Sequence, residues 1–236
     1  MRSAVPGAPI RNRLLDRLPS KDRERVLAAC EQVDLSFAEV LAEPGARTRN
    51  VYFPTSSFIS QLVPMGGKRR VEVSLAGNEG ISGIAVALGV SISPVQSVVQ
   101  GGGRAWRMQA TAFRQELARD SAMRSCVDRY IYVLMAQLMQ TAGCNRFHVV
   151  EQRVARWLLM TADRAHSATF RITHEFLAYM LGVRRVGVTE AASALQRRKL
   201  IGYTRGVVTV LNRRGLERAA CACYQSDLST YQRIFS

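Results

Sequence analysis

The sequence lacks any apolar run long enough to cross a membrane. A membrane helix needs about 20 consecutive apolar residues, and neither such a run nor an apolar signal core at the start is present. We therefore expect a cytoplasmic protein with no membrane partner. Catalytic motifs are missing too, since the sequence contains no P-loop, nucleophile elbow, dinucleotide fingerprint or paired-histidine metal motif. The sequence thus predicts that the chain is not an enzyme.

Cysteine is scarce and irregularly spaced. The five cysteines are Cys30, Cys126, Cys144, Cys221 and Cys223, an odd number with no pair of Cys-x-x-Cys clusters. This spacing favours neither a disulfide framework nor a zinc module. We expect reduced, mostly buried thiols, no metal and no cofactor. Two alternatives stay open: Cys144 and His148 are spaced as two metal ligands could be, and Cys221 with Cys223 could form a redox switch.

Acidic residues are few compared with basic ones. The chain has 18 Asp and Glu against 33 Lys and Arg, a net charge of +15. Residues 145–236 alone hold 15 basic and 6 acidic residues, so +9 of the charge lies in the shorter C-terminal part. General solubility would not require that concentration. It favours a polyanionic partner, and double-stranded DNA is the one we predict.

Between residues 33 and 108 the sequence alternates short β-rich runs with turn residues. Many short strands at this spacing predict a sandwich or barrel, here of the jelly-roll type. The candidate strands are residues 40–41, 51–53, 58–63, 70–75, 94–99 and 105–108, with a short helix near residues 84–88.

A long helix is predicted from about Arg119 to about Gly143, followed by a hinge at residues 145–147. Its apolar residues recur every three or four positions, in a stripe about as narrow as a coiled-coil seam. The stripe could lie on the β-domain of the same chain, but it fits the contact between two helices of a homodimer better. The predicted dimerisation residues are Met123, Val127, Tyr130, Ile131, Leu134 and Leu138.

Residues 173–195 have the pattern of a helix-turn-helix. Thr173 is a good N-cap, small Ala178 permits a close crossing, and Gly182 can adopt the positive φ needed where the first helix ends. An ordinary helical hairpin would explain these coinciding positions less well. The facing apolar residues are Leu177, Leu181, Val183, Val188 and Leu195, which leave Arg184, Arg185, Gly187, Thr189 and Glu190 on the outer, N-terminal part of the second helix.

Two β-rich runs follow the second helix. Residues 200–204 and 207–211 flank Arg205-Gly206, which predicts a hairpin with a basic tip. A hairpin directly after a recognition helix is a wing.

The order of β-roll, long helix, hinge and winged helix-turn-helix resembles the Crp/Fnr superfamily of bacterial transcription regulators. The most specific segments are residues 144–148, 151–159 and 177–195, and the turns at residues 51–54 and 77–80 also look like those of the family. The resemblance implies a homodimer on a palindromic site, base contacts from Arg185, Val186, Thr189 and Glu190, and phosphate contacts from Thr173 and the wing with Arg205. RNA polymerase would be a further partner of an activator.

The chain departs from the best-known members at two places. Arg184 stands where a polar residue tends to cap the recognition helix, and Val186 and Glu190 replace an expected glutamate and arginine, so the target sequence cannot be inferred from theirs. In the sensor domain, residues 83–86 and 93–95 lack the glutamate and the Arg-Ser or Arg-Thr pair of cyclic-nucleotide binders. A phosphate there would be buried against apolar groups. We therefore predict that cyclic AMP does not bind, and the effector is unknown.

The sequence as a whole predicts an α+β protein. Its parts would be an N-terminal jelly-roll-type sensor domain (residues 12–118), a dimerisation helix and hinge (residues 119–144) and a C-terminal winged helix-turn-helix domain (residues 145–236). The predicted function is sequence-specific regulation of transcription. The alternative is a ligand-binding or protein-binding sensor module in which the helix-turn-helix is an interaction surface.

Overall fold

The structure is a computed structural model and describes residues 11–67, 70–119 and 121–236. The start of the chain, where we expect no signal core, lies outside these residues. Strands and helices form largely separate runs along the chain, which is an α+β arrangement, as predicted. No helix among the described residues has the length and apolar character needed to span a bilayer.

The described residues of the N-terminal domain form seven strands in two antiparallel sheets. Their orders are β1-β7-β3 and β2-β6-β4-β5, so both sheets pair strands that are distant in sequence. All six predicted strands are present, but β1 was not predicted because its residues are mostly polar. The strands are β1 (Glu31–Leu35), β2 (Val40–Ala42), β3 (Asn50–Pro54), β4 (Phe58–Pro64), β5 (Arg70–Ala76), β6 (Gln96–Gly101) and β7 (Gly103–Gln109).

Several helices pack against this β-roll. A 3₁₀ turn (Leu15–Arg17) and α1 (Ser20–Ala28) precede the strands, the predicted short helix forms a 3₁₀ turn (Ile84–Leu88), and α2 (Ala110–Arg119) leads into α3 (Ser121–Phe147). The predicted hinge at residues 145–147 is wrong, because these residues are helical. The break falls instead at His148 and Val149, before α4 (Val150–Ala165).

The predicted dimerisation stripe on α3 requires a correction. Four of its six residues are buried in the hydrophobic core of their own chain, against the 3₁₀ turns, α2 and the β-roll, so they cannot also form a contact with a second chain. Ile131 is half-buried at the edge of that core, and only Leu138 is exposed. The four buried residues are Met123, Val127, Tyr130 and Leu134.

The C-terminal domain has a second core, formed around α4. A three-stranded sheet with the order β8-β10-β9 extends from it, and the short strand β8 was not predicted. The elements after α4 are β8 (Thr169–Arg171), α5 (His174–Leu181), α6 (Arg185–Arg197), β9 (Ile201–Thr204), β10 (Val207–Val210), α7 (Arg213–Ala219) and α8 (Cys223–Phe235).

The last helix, α8, returns to the N-terminal domain and packs along α3. Tyr231 and Phe235 are buried in the N-terminal core. The guanidinium carbons of Arg13 and Arg17 lie 4.8 and 4.9 Å from the centroids of these two rings, within the range of a cation–π contact. The C-terminal tail, which the sequence did not place, therefore fastens the two domains together.

Buried polar contacts also join the domains. Arg164 on α4 forms an ion pair with Glu79 at 2.7 Å, and its Nε donates a hydrogen bond to the Leu75 carbonyl. Trp157 Nε1 donates to Glu72 Oε1 on β5 at 2.8 Å. The orientation of the helix-turn-helix relative to the β-roll is thus fixed by directional bonds as well as by apolar packing.

Candidate DNA-binding interface

The turn between α5 and α6 has the geometry that its residues predicted. The Thr173 hydroxyl accepts a hydrogen bond from the Phe176 amide at 3.1 Å, so Thr173 is the N-cap of α5. Gly182 ends α5 with a φ of 63°, in the left-handed region that favours glycine. The Val183 amide then donates to the Ala178 carbonyl at 3.0 Å, which fixes the angle to the next helix. Val188 is fully buried between the helices.

The first turns of α6 carry most of the predicted DNA-reading residues on an open face. One member of the set departs from the prediction. Gly187 is half-buried, and a side chain there would meet Val150 on α4 at 3.8 Å, so this position does not face outward. The apolar side chain of Val186 is 60% exposed, which is unusual for valine in a folded domain. The exposed members are Arg184, Arg185, Val186, Thr189 and Glu190.

The start of α6 is suited to anions. Arg184 occupies the N-cap position, and no side chain among the described residues caps the helix. Its first amides therefore remain available, and the helix dipole adds partial positive charge at this end. No acidic residue lies in the first turn, and Arg184 and Arg185 supply two full positive charges.

The wing turn lies beside the start of α5. Arg205 and Gly206 have φ values of 49° and 77°, both positive, as the two central residues of a type I′ turn must be. Ile172 donates a backbone hydrogen bond to the Gly206 carbonyl at 2.8 Å, which brings exposed Arg205 close to exposed Thr173. The surface made by these two residues and the start of α6 is called the basic face below.

His174 supports the basic face, a role that the sequence did not indicate. Its ring stacks on Tyr203 with centroids 4.4 Å apart, and its Nδ1 lies 3.0 Å from the Thr189 hydroxyl. That hydroxyl also donates to the Arg185 carbonyl, so Thr189 is already engaged within the chain. Burial and the positive charge of Arg185 lower the pKa of His174.

A second feature of the site is a cavity in the N-terminal domain. It has a volume of about 490 Å³ and lies between the β-roll and the middle of α3. Residues 83–85 and 93–95 line it, at the places where the sequence departs from cyclic-nucleotide binders, and Ile131 and Leu138 close it from α3. None of the described residues that line the cavity is charged.

These features define a winged helix-turn-helix protein with a β-roll domain. Residues 152–219 match the family model of the Crp-like helix-turn-helix domain. No curated protein matches the sequence. The match identifies residues 152–219 as a Crp-like helix-turn-helix domain, in agreement with the predicted resemblance to the Crp/Fnr superfamily.

Solved structures with the same fold cover most of the chain. FixK2 from Bradyrhizobium japonicum has a TM-score of 0.70 at 13% identity, covering 82% of this chain and 98% of its own. A CRP/FNR-family regulator from Thermus thermophilus has a TM-score of 0.68 at 17% identity, covering 80% and 98%. CLP from Xanthomonas campestris, a c-di-GMP-responsive global regulator, has a TM-score of 0.67 at 15% identity, covering 81% of this chain and 99% of its own. At these identities the likeness concerns the fold.

Proposed function

We propose that this chain is a homodimeric, sequence-specific DNA-binding regulator of transcription and not an enzyme. The observation that carries the proposal is the basic face, where Arg184, Arg185 and Arg205 lie exposed around an uncapped helix start. A helix of this kind enters the major groove with its N-terminal residues against base edges, while the wing and the start of the preceding helix contact phosphates.

Individual side chains suit particular base edges. Arg185 can form a bidentate hydrogen bond with guanine, Glu190 can accept from cytosine N4, and exposed Val186 can contact a thymine methyl group. The hydroxyl of Thr189 is engaged by His174, so we assign Thr189 a positioning role. Arg205 and Thr173 are assigned to phosphates, which they would contact regardless of sequence.

The effector site is proposed to be the 490 Å³ cavity. Its described lining offers hydroxyl, amide and apolar groups but no cation, so a cyclic phosphate would lose its hydration without gaining an ion pair, at a cost of several kcal/mol. This supports independence from cyclic AMP and favours an uncharged effector, if the protein has one.

The experiment begins with selection of a DNA site from fragmented genomic DNA by the purified protein, followed by titrations at several salt concentrations. Arg185→Ala is expected to weaken binding to the selected site by about 1 to 3 kcal/mol, with little loss on unrelated DNA. Arg205→Ala should weaken binding to all sequences alike and reduce the slope of log K against log salt by about one.

Arg104→Ala is the matched control, because it removes the same charge from an exposed position on β7, away from the basic face. It should leave binding to the selected site unchanged. If no fragment is enriched at modest ionic strength, the DNA-binding proposal is wrong and the alternative of a protein-binding helix-turn-helix is favoured. An equal loss for Arg185→Ala on all sequences would make Arg185 a phosphate contact.

A further inference from the structure

Three cysteines and one histidine meet at the break between α3 and α4. Cys144 is on the last turns of α3, His148 follows that helix, and Cys221 and Cys223 lie where α7 gives way to α8. Each side chain offers one ligand atom, and all four atoms lie within 4.8 Å of one another. The three cysteines are buried and His148 is partly buried.

The spacing of these atoms suits one tetrahedral ion. Zinc binds thiolate sulfur at about 2.3 Å and imidazole nitrogen at about 2.0 to 2.1 Å, which puts tetrahedral ligand pairs roughly 3.5 to 3.8 Å apart. The sulfur atoms of Cys144 and Cys221 are 3.5 Å apart. The distance from Cys223 Sγ to His148 Nδ1 is also 3.5 Å.

Other uses of the thiols fit less well. A disulfide would leave His148 and the third cysteine unexplained beside it, and all five cysteines are free. An iron–sulfur cluster would place several iron atoms between the thiolates and therefore needs wider separations than those observed. A single ion accounts for all four side chains at once.

The surroundings suit a site with net negative charge. Three thiolates and a divalent ion carry a charge of −1. Arg153 and Arg156 both interact electrostatically with Cys144 and Cys221. Arg156 also pairs with buried Asp227 at 2.6 Å, which leaves Arg153 as the nearby cation without an ion pair among the described residues. The buried Nε atoms of these two arginines have no acceptor among the described residues. Gln140 Nε2 donates a hydrogen bond to Cys223 Sγ at 3.0 Å, the kind of outer contact that orients a metal ligand.

We propose that Cys144, His148, Cys221 and Cys223 form a binding site for one zinc ion. The ion would tie the end of α3 to the segment between α7 and α8. It would thereby fix the break through which the β-roll and the helix-turn-helix are connected along the chain. The site is structural in type, because four protein ligands complete a tetrahedron and leave no position for substrate.

The test measures the metal content of the full-length protein, purified without chelator, by mass spectrometry. We expect about one zinc per chain. After removal of zinc, titration with Co²⁺ should give the intense visible bands of a tetrahedral complex and the near-ultraviolet bands of thiolate ligation, and added Zn²⁺ should abolish both. Neither readout depends on DNA binding, so failure here is distinguishable from failure of the proposed function.

Cys144→Ser and Cys223→Ser should lower the metal content at least tenfold, and Cys30→Ser and Cys126→Ser, whose thiols lie outside the group, should leave it unchanged. Because a buried substitution could impair folding, His148→Ala is tested as well. Its partly buried side chain can be removed with all thiols retained, and the Co²⁺ spectrum should lose intensity or shift. Less than a tenth of an ion per chain with no cobalt spectrum would overturn the proposal, as would an iron–sulfur cluster or equal metal content in all variants.

Discussion

Glu72 on β5 is a carboxyl group at the junction of the two domains. The residue as a whole is half-buried, but its oxygens are covered: one accepts from Trp157 Nε1 at 2.8 Å and the other from the Ser60 hydroxyl at 2.6 Å. Burial raises the pKa of Glu72 from 4.5 to about 7, although these hydrogen bonds and nearby Arg164 oppose the shift. The charged carboxylate is therefore disfavoured in the folded protein.

The raised pKa of Glu72 predicts how the free energy of unfolding depends on pH. A carboxyl whose pKa is higher when folded stabilises the fold fully below its unfolded pKa of 4.5, and that contribution is lost as pH rises through about 7. Glu72→Gln cannot ionise, and its amide oxygen can still accept from Trp157 while its amide nitrogen donates to the Ser60 hydroxyl. Its free energy of unfolding relative to the unmodified protein should therefore rise between pH 5 and pH 8, by about 1 to 3 kcal/mol. Urea unfolding at the two pH values measures this.

Glu24→Gln is the control, since Glu24 is exposed on α1. The difference between this variant and the unmodified protein should vary little over the same interval. A pH-independent difference for Glu72→Gln would mean that the Glu72 carboxyl remains solvated in the folded chain.

Helix α3 has two apolar faces with different roles. The face that the sequence predicted as a dimer seam is largely buried within the chain, because α1, α2 and α8 cover it together with the β-roll. On the other face Tyr132, Met135 and Met139 are 49%, 54% and 66% exposed, and Leu138 continues the patch. Apolar side chains grouped in this way mark an interaction surface. We therefore propose the homodimer contact for this second stripe.

Replacing Tyr132 and Met139 together by lysine tests that contact. In a two-fold symmetric dimer each lysine would appear twice within an apolar interface, so we expect the dimer Kd to rise by about a hundredfold or more. Sedimentation velocity over a concentration series measures the change. Phe37→Lys is the control, because Phe37 is 65% exposed but lies outside α3 and outside the cavity lining. A dimer that persists in the double variant would exclude the stripe, and an unmodified protein that is monomeric would refute the dimer itself.

Local sequence patterns predicted the helices, strands and turns well, but they predicted less well which surfaces pack against each other. The cap at Thr173, the left-handed Gly182 and the Arg205-Gly206 turn depend on a few adjacent residues and are all confirmed. The three- or four-residue spacing of apolar residues on α3 was also predicted correctly, but this spacing does not specify which surface packs against the apolar face. The covering helix α8 had its own signal in Tyr224, Tyr231 and Phe235, which recur at helical spacing, yet its docking site on α3 is far away in sequence.

At the scale of the whole molecule, the least predictable features join distant segments. Cys144 and His148 are 73 or more residues from Cys221 and Cys223, and only the return of the chain after α7 brings the four together. The same is true of the cavity, whose lining combines several strands with α3. The sequence did indicate that the cavity lining lacks a positive charge, since residues 83–86 and 93–95 contain no cation.

The cavity and the second stripe share α3. Leu138 and Met135 line the cavity and also belong to the exposed stripe. A molecule bound in the cavity would therefore press on the side of α3 that we assign to the dimer. In the proposed homodimer, a change in that contact would alter the separation of the two basic faces, and reading successive turns of one face of DNA requires a separation of about 34 Å.

We expect that cyclic AMP does not act through the cavity on the proposed dimer contact. Its phosphate would face a described lining without a positive charge, so calorimetric titration should detect no binding in the micromolar range, and the Kd for the selected DNA site should stay within about twofold when cyclic AMP is added. Nile red, an uncharged apolar dye, serves as the control for an open cavity and should gain fluorescence in the same preparation. Micromolar binding of cyclic AMP would contradict the assignment.

A change in DNA affinity would contradict it more strongly. A ligand shifts an equilibrium only by its differential affinity for the two states, so a tenfold change in DNA affinity would show that cyclic AMP binds one state of the dimer at least tenfold more tightly. The uncharged lining could then no longer explain the selectivity of the cavity.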